Sequence, residues 1–88
     1  SITMDVPSYI KVASNPARVV GLNSVGMERG GIDQETITIL KKAYKIIYRK
    51  GFNLKDAIEK VESIESNDAQ EVRKFVDSIK SSERGILR

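Results

Sequence analysis

The sequence predicts a mainly α-helical fold, in which one short helix and three longer helices form a small antiparallel bundle after an extended N-terminal segment. From residue 33 onward, apolar residues recur at spacings of three and four, the pattern of helices that bury one face. Polar capping residues precede these runs, and glycines or polar clusters follow them. The connections between the predicted helices are short, which favours antiparallel neighbours.

The extended segment covers residues 1–20, and the helical domain covers residues 21–88. Apolar and polar residues alternate at the start of the chain, as in a half-buried strand. Asn-Pro-Ala-Arg at 15–18 cannot continue a strand, because proline lacks a backbone donor, and it predicts a turn that leads away from the sheet. Two apolar pairs lie six positions apart, the repeat of hexapeptide β-helices: Met4 with Ile10, and Val6 with Val12.

Residues 21–32 form the junction between the two parts and contain the short helix. Asn23 is its predicted N-cap, because the side-chain oxygen of asparagine can accept a bond from a backbone N–H of the first turn. Leu22 and Met27 then occupy the two positions of a hydrophobic staple. The helix is predicted to end at two residues that adopt a left-handed conformation easily: Gly30 and Gly31.

Three longer helices are predicted over residues 33–50, 53–64 and 69–80. Asp33 caps the first of them, which is the central helix, and Gly51 closes it. Ile32 can form a hydrophobic staple with Ile37 at its start, and Asn53 caps the next helix. Residues 81–88 contain turn residues followed by two apolar residues, which predicts a tail that docks on the bundle. The central helix is expected to be covered on more than one side, because three further apolar residues widen its apolar stripe. The stripe is made of Ile37, Leu40, Tyr44 and Ile47, and the residues that widen it are Ile39, Ala43 and Ile46.

Composition limits the classes of protein to which the chain can belong. With 88 residues it fits one domain, and no apolar run approaches the ~20 residues that a membrane-spanning helix needs. The first residues lack the pattern of a secretory signal. The absence of cysteine excludes disulfides and fits a reducing compartment. The 15 basic and 12 acidic residues leave a net charge of +3, far from that of a nucleic-acid-binding tail.

The absence of histidine restricts the possible chemistry further. Histidine is the usual general base near neutral pH and the commonest metal ligand. The acidic residues are spread along the predicted helices, and no carboxylate pair, activated nucleophile or metal-ligand set is recognisable. We therefore expect no catalytic residue, metal or other cofactor in this chain, and no activity of the chain alone.

Three stretches carry a resemblance to a known family. The segment DVPSYIKVASNPARVVG is similar to the closing coil of the hexapeptide-repeat acyltransferases, which fold as left-handed parallel β-helices. The order GLNSVGMERGGI, AYKIIYRKG and SSERGILR resembles the C-terminal region of the UDP-N-acetylglucosamine acyltransferases. The resemblance covers essentially the whole chain. It implies that residues 1–20 are the last coil of a β-helix and that the helical bundle follows it.

The resemblance also implies a function. Members of this family are cytoplasmic homotrimers that transfer a 3-hydroxyacyl chain from acyl carrier protein to the 3-hydroxyl of UDP-N-acetylglucosamine, the first step of lipid A synthesis. Their general base is a histidine, so the catalytic part is expected upstream of this chain. The chain itself is then expected to contribute trimer packing and the nucleotide end of the active site.

Two residues match positions that hold the UDP group in the family, namely Asn23 and Arg29. Asparagine can donate and accept hydrogen bonds toward uracil or ribose, and a guanidinium can bind phosphate with two parallel bonds. The chain departs from the family around them. Two basic positions are glycine or acidic here, and Val25 replaces a glutamate of some members. We therefore expect a reduced number of contacts to the diphosphate.

Three basic residues at intervals of four share one face of the central helix: Lys41, Lys45 and Arg49. This stripe could steer an acidic acyl carrier protein, or it could be an ordinary solvated face. A different class of function is a stand-alone adaptor whose basic helix binds an acidic protein or nucleic acid. Nucleic-acid binding would require exposed aromatics among the basic residues, whereas Tyr44 is predicted to lie in the core.

Overall fold

The computed structural model describes residues 4–64, 69–82 and 85–88. Their fold is mainly helical, with one small two-stranded sheet, and the predicted fold class is confirmed. No helix in these three ranges is long and apolar enough to cross a membrane. In chain order the elements are β1 (Ile10–Ala13), β2 (Arg18–Leu22), α1 (Ser24–Arg29), α2 (Gln34–Tyr48), α3 (Leu54–Glu62) and α4 (Gln70–Lys80).

Helix α2 is the centre of the bundle, since α1, α3 and α4 all pack against it. Its first turn is capped as predicted, because the backbone N–H of Thr36 donates to Oδ1 of Asp33 over 2.8 Å. Hydrogen bonding by the Thr36 side chain, together with this backbone bond, lowers the pKa of the Asp33 carboxyl. Ile32 packs against the core that contains Ile37, as the predicted staple requires. The helix buries one continuous apolar face: Ile37, Leu40, Ala43 and Ile47.

The predicted core position of Tyr44 is wrong. Ala43, rather than Tyr44, is fully buried on that side of α2, and Tyr44 is only half-buried. Its ring stacks on Tyr48 one turn later, with 5.1 Å between the ring centroids. The helical spacing is compatible with either residue facing inward. The close approach of neighbouring helices favours the smaller side chain at this position, because a core at crystal-like density has no room for both.

Helices α3 and α4 complete the core. Asn53 caps α3 by accepting a bond from the backbone N–H of Asp56 over 2.8 Å, as predicted, whereas α4 starts after Ala69 without a side-chain cap. The predicted break at 65–68 lies outside the described residues. Each helix faces α2 with apolar side chains that are almost completely buried: Ala57 and Val61 from α3, and Val72, Phe75, Val76 and Ile79 from α4.

The N-terminal segment differs from the prediction. β1 and β2 pair antiparallel, with Ile10 opposite Leu22 and Ala13 opposite Arg18, and the ladder is irregular between Lys11 and Val12. The turn at 14–17 therefore folds the chain back on itself instead of leading it away from the sheet. Proline is still excluded from the ladder, but it lies in the hairpin turn, where no donor is needed.

The other expectations for this segment have different outcomes. Met4 and Val6 lie outside any strand and are exposed, so within this chain the six-residue spacing does not correspond to stacked strands. Ile2, the first apolar residue of the predicted alternation, lies outside the described residues. The proposed division after residue 20 stays a prediction, and β2 crosses it.

Helix α1 ends as a Schellman motif. The backbone N–H of Ile32 donates to the carbonyl of Met27, and that of Gly31 donates to the carbonyl of Glu28, both over 3.1 Å. Only Gly31 needs the left-handed region, with φ of 83°, because Gly30 is right-handed with φ of −77°. The expectation for the pair of glycines therefore holds for one of them.

The C-terminal tail docks on the bundle, as predicted. Ile86 is buried and forms a parallel bridge with Asp5, whose backbone bonds to Gly85 and Leu87 over 2.9 and 2.8 Å. The hydroxyl of Tyr48 donates to the carbonyl of Leu87 over 2.8 Å. Burial, which outweighs the opposing effect of the nearby Arg88 guanidinium, raises the pKa of Tyr48 to about 12.

Substitution of Gly31 by alanine should lower the free energy of unfolding by roughly 1 to 2 kcal/mol, because an L-residue at positive φ is strained. Gly21→Ala is the matched control, since Gly21 has no positive φ and an added Cβ would meet no atom within 4 Å. Urea denaturation of both variants measures the difference. Equal stabilities of the two variants would contradict the assigned end of α1.

The bond between Tyr48 and the tail should make stability depend on alkaline pH. Because the folded-state pKa is raised above the ordinary value of 10.0, the stabilisation is complete below pH 10 and is lost as the pH rises through about 12. Tyr48→Phe should lower stability by about 1 kcal/mol at neutral pH. It should also reduce the loss of stability between pH 10 and 12, measured by urea denaturation at each pH. Tyr44→Phe is the control, and an identical alkaline profile of both variants would contradict the assignment.

Candidate functional site

Asn23 lies at the start of α1, as predicted, with its side chain folded over the first turn. Its Oδ1 accepts a bond from the backbone N–H of Gly26 over 3.1 Å. A Cβ at Gly26 would lie 2.5 Å from Nδ2 of Asn23, so only glycine leaves room for this arrangement. The amide oxygen is therefore engaged by the helix, while Nδ2 of this exposed residue is a donor that can bind a ligand.

The side chain of Asn23 lines a cleft of about 430 Å³ between α1, α4 and the segment before β1. Gly26 and Met27 of α1 and Gly30 after it also line the cleft, and Lys74 of α4 is the basic residue of the lining. The ammonium of Lys74 lies 5.7 Å from the ring centroid of Tyr9. Burial, with a smaller effect of Glu71, raises the pKa of the Tyr9 hydroxyl.

Sequence reasoning did not find Tyr9 and Lys74. They are separated by more than sixty positions in the chain, and no motif contains both of them. What brings them together is the return of the chain before β1 onto α4. A backbone bond from Ser8 to the Ser78 hydroxyl, 3.0 Å long, and another from Asn23 to the carbonyl of Tyr9, 2.8 Å long, hold that segment in place. These contacts are non-local, and local sequence patterns do not encode them.

Arg29 is the last residue of α1 and is exposed. It does not line the cleft that contains Asn23. Six residues of helix correspond to a rotation of roughly 120° between the two side chains, which places them on different faces of α1. Within the described part of the chain, the guanidinium makes no hydrogen bond or ion pair, so it is available to a ligand.

The three basic residues of α2, Lys41, Lys45 and Arg49, are all exposed and lie along one side of the helix. Lys45 and Arg49, together with Tyr44 and Lys50, line a shallow hollow of about 390 Å³ that Lys41 does not reach. Across residues 4–64, 69–82 and 85–88, none of the three is in a salt bridge. Their charges are therefore available to an acidic partner.

The polar groups of the described residues suit the binding of ligands rather than of a metal ion. No three acidic, histidine or cysteine side chains in these ranges are grouped so that they could hold a metal ion. The polar residue that is buried among them is Thr36, whose backbone is part of the α2 cap. What this part of the chain offers is a cleft with an amide and an ammonium group, a free guanidinium and a basic helix face, all of which suit the binding of anions.

Comparison with known proteins identifies the chain. Residues 5–87 match the model of the family described as UDP N-acetylglucosamine O-acyltransferase, domain 2. The acyl-[acyl-carrier-protein]--UDP-N-acetylglucosamine O-acyltransferase of Fusobacterium nucleatum is 46% identical over 88 residues, which are 100% of this chain and 34% of that protein. The enzyme with the same name from Anaeromyxobacter is 44% identical over 87 residues, 99% of this chain and 34% of that protein.

Solved structures agree with the sequence comparison. The UDP-N-acetylglucosamine acyltransferase of Bacteroides fragilis superposes with a TM-score of 0.89 at 41% identity, over 98% of this chain and 33% of that one. The Arabidopsis enzyme gives a TM-score of 0.85 at 26% identity, over 100% of this chain and 34% of that one. The chain thus spans about a third of the length of the relatives that it matches. It belongs to the UDP-N-acetylglucosamine O-acyltransferase family, of which it forms the second domain.

Proposed function

We propose that this chain is the C-terminal domain of an enzyme that transfers a 3-hydroxyacyl group from acyl carrier protein to the 3-hydroxyl of UDP-N-acetylglucosamine in lipid A synthesis. The observation that carries the proposal is the match over residues 5–87 to domain 2 of this family. In the reaction, the sugar oxygen bonds to the thioester carbonyl carbon, the carbon–sulfur bond breaks, and the hydroxyl proton ends on the released thiol. A histidine base in the preceding part of the enzyme would accept that proton, so this domain acts through binding.

The first binding contribution is to the nucleotide. Asn23 presents its Nδ2 donor at the rim of a cleft, while its oxygen is occupied by the α1 cap. Arg29 presents an exposed guanidinium on another face of α1, and this group can hold phosphate oxygens with two parallel bonds. We assign Asn23 to the uracil or ribose edge and Arg29 to the diphosphate. Val25, which is exposed, and the two glycines after Arg29 add no charge to this part of the surface. We therefore expect few contacts to the diphosphate.

The second binding contribution is to the acyl donor. Lys41, Lys45 and Arg49 form an exposed positive stripe along α2. An acidic carrier protein would be attracted to such a stripe, and the attraction would raise the rate of encounter at low ionic strength. The stripe is distant in sequence from Asn23 and Arg29. The two contributions can therefore be separated by mutation.

One kinetic experiment on the full-length enzyme tests both assignments. Asn23→Ser with Arg29→Ala should raise the KM for the UDP-sugar about tenfold or more and leave the KM for the acyl donor unchanged, since serine still caps α1. Charge reversal at Lys41, Lys45 and Arg49 should raise the KM for the acyl donor and leave the KM for the UDP-sugar unchanged. The increase in the donor KM should become smaller as salt is added. Each variant is the control for the other. An unchanged KM for the UDP-sugar in the first variant, or for the donor in the second, would refute the corresponding assignment.

The third contribution is to assembly, since we propose that the enzyme is a cytoplasmic homotrimer. All the exposed large apolar side chains of the described residues fall within residues 4–25: Met4, Val6, Val12, Val20 and Val25. Their concentration in one region supports its burial by another part of the assembly. Light scattering of the full-length enzyme should give the mass of three chains. A single-chain mass at working concentration would contradict the trimer.

A further inference from the structure

Two tyrosines at the C-terminal end of α2 form the centre of a surface that extends beyond the basic stripe of α2. The rings of Tyr44 and Tyr48 stack at 5.1 Å with an angle of 27° between their planes. Two adjoining hollows, of about 390 and 310 Å³, share Tyr44 and Arg49. The larger hollow lies over the end of α2. The smaller one continues onto the start of β2 and the C-terminal tail.

Basic residues from three parts of the chain surround these tyrosines, and we call them the tyrosine-centred basic surface. Among residues 4–64, 69–82 and 85–88, no acidic side chain lines either hollow. The rest of the chain carries ten basic and twelve acidic residues, so the positive charge of the protein is concentrated here. The surface is made of five exposed basic residues: Arg18, Lys45, Arg49, Lys50 and Arg88.

Parts of this surface are held in fixed positions. Nη1 of Arg88 donates to the carbonyls of Ile47 and Phe52 over 3.0 and 3.2 Å, which anchors the tail residue beside the end of α2. The guanidinium carbon of Arg49 lies 5.9 Å from the ring centroid of Tyr44. Tyr48 is tied to the tail by its hydroxyl. A partner that binds here therefore meets groups that are already arranged, and less ordering entropy is lost on binding.

We propose that the tyrosine-centred basic surface docks an acidic protein, and that Arg18 and Lys50 contact this partner in addition to the α2 stripe. The inference rests on the proposed function, because the relatives are named for an acyl donor that is itself a carrier protein. Positive residues on several elements fit carboxylates spread over the face of a folded acidic protein. The carrier protein then spans the end of α2, the hairpin and the tail, and Lys41 lies toward the edge of its footprint.

An acidic protein fits this surface better than a nucleic acid does. Single-stranded nucleic acids bind where bases can stack on free aromatic faces. Here each tyrosine ring covers part of the other, Arg49 lies over Tyr44, and the Tyr48 hydroxyl is occupied by the carbonyl of Leu87. The exposed groups are therefore mainly cations, which suit carboxylates.

The test is the double variant Arg18→Glu with Lys50→Glu in the full-length enzyme. Both side chains are exposed, and neither belongs to the assigned nucleotide site or to the α2 stripe. The KM for the acyl carrier protein donor should rise about tenfold at low ionic strength. With a short acyl thioester that lacks the carrier protein, kinetics should be unchanged. Arg18→Gln with Lys50→Gln should give a smaller increase, which separates lost attraction from new repulsion.

The matched control is Lys55→Glu with Arg73→Glu, which changes the net charge equally at exposed positions away from this surface. An unchanged donor KM in the Arg18 and Lys50 variant, or an equal rise in the control, overturns the inference. If reversal of the α2 stripe still raises the donor KM, the proposed function stands and only this extension fails. Loss of binding to an RNA oligonucleotide, without a change in donor KM, would assign the surface to nucleic acid and also overturn the inference.

Discussion

Burial of the apolar face of α2 is the constraint on which the rest of the structure depends. An 88-residue chain buries only about 60% of its unfolded surface, so its folded state is only marginally stable. Here each of the other three helices packs against α2. Leu40 and Ile37 are fully buried against α3, α4 and α1, with Phe75 as the largest side chain from the opposite side. A defect in α2 would therefore loosen all the other helices together.

This arrangement also determines where the charges lie. Because one side of α2 must be apolar, its lysines and its terminal arginine are confined to the opposite side and to the end of the helix. At that end, the partial negative charge of the helix terminus favours nearby cations. Arg49, Lys50 and Arg88 gather there for this reason, and Arg88 also satisfies the carbonyl of Ile47. A stabilising feature of the helix and a candidate docking surface are therefore built from the same residues.

Local patterns in the sequence predicted most of the helical part. Asn23, Asp33 and Asn53 were each expected to cap a helix, and each accepts the expected backbone bond, because capping depends on residues only three positions apart. The positive φ of Gly31 follows from the same kind of local rule, although sequence alone did not distinguish it from Gly30.

Non-local packing decided what the sequence could not predict. The choice of Ala43 over Tyr44 for the core depends on how closely the neighbouring helices approach α2. The direction of the turn at 14–17 depends on pairing across the hairpin, and the cleft beside Asn23 depends on contact between Tyr9 and Lys74. Each of these features requires residues from separate elements to meet. A single sequence without aligned relatives contains no signal for such contacts between separate elements.

The tail connects the two ends of the chain to the basic surface. Arg88 reaches the end of α2 only because the tail is held on one side by the Tyr48 hydroxyl and on the other by the backbone of Asp5. The backbone at Asp5 is in turn continuous with the segment that forms one wall of the Asn23 cleft. The nucleotide assignment and the docking inference therefore concern surfaces that share a structural support. A change that releases the tail should disturb the basic surface directly, and the cleft only through the segment that joins Asp5 to Tyr9.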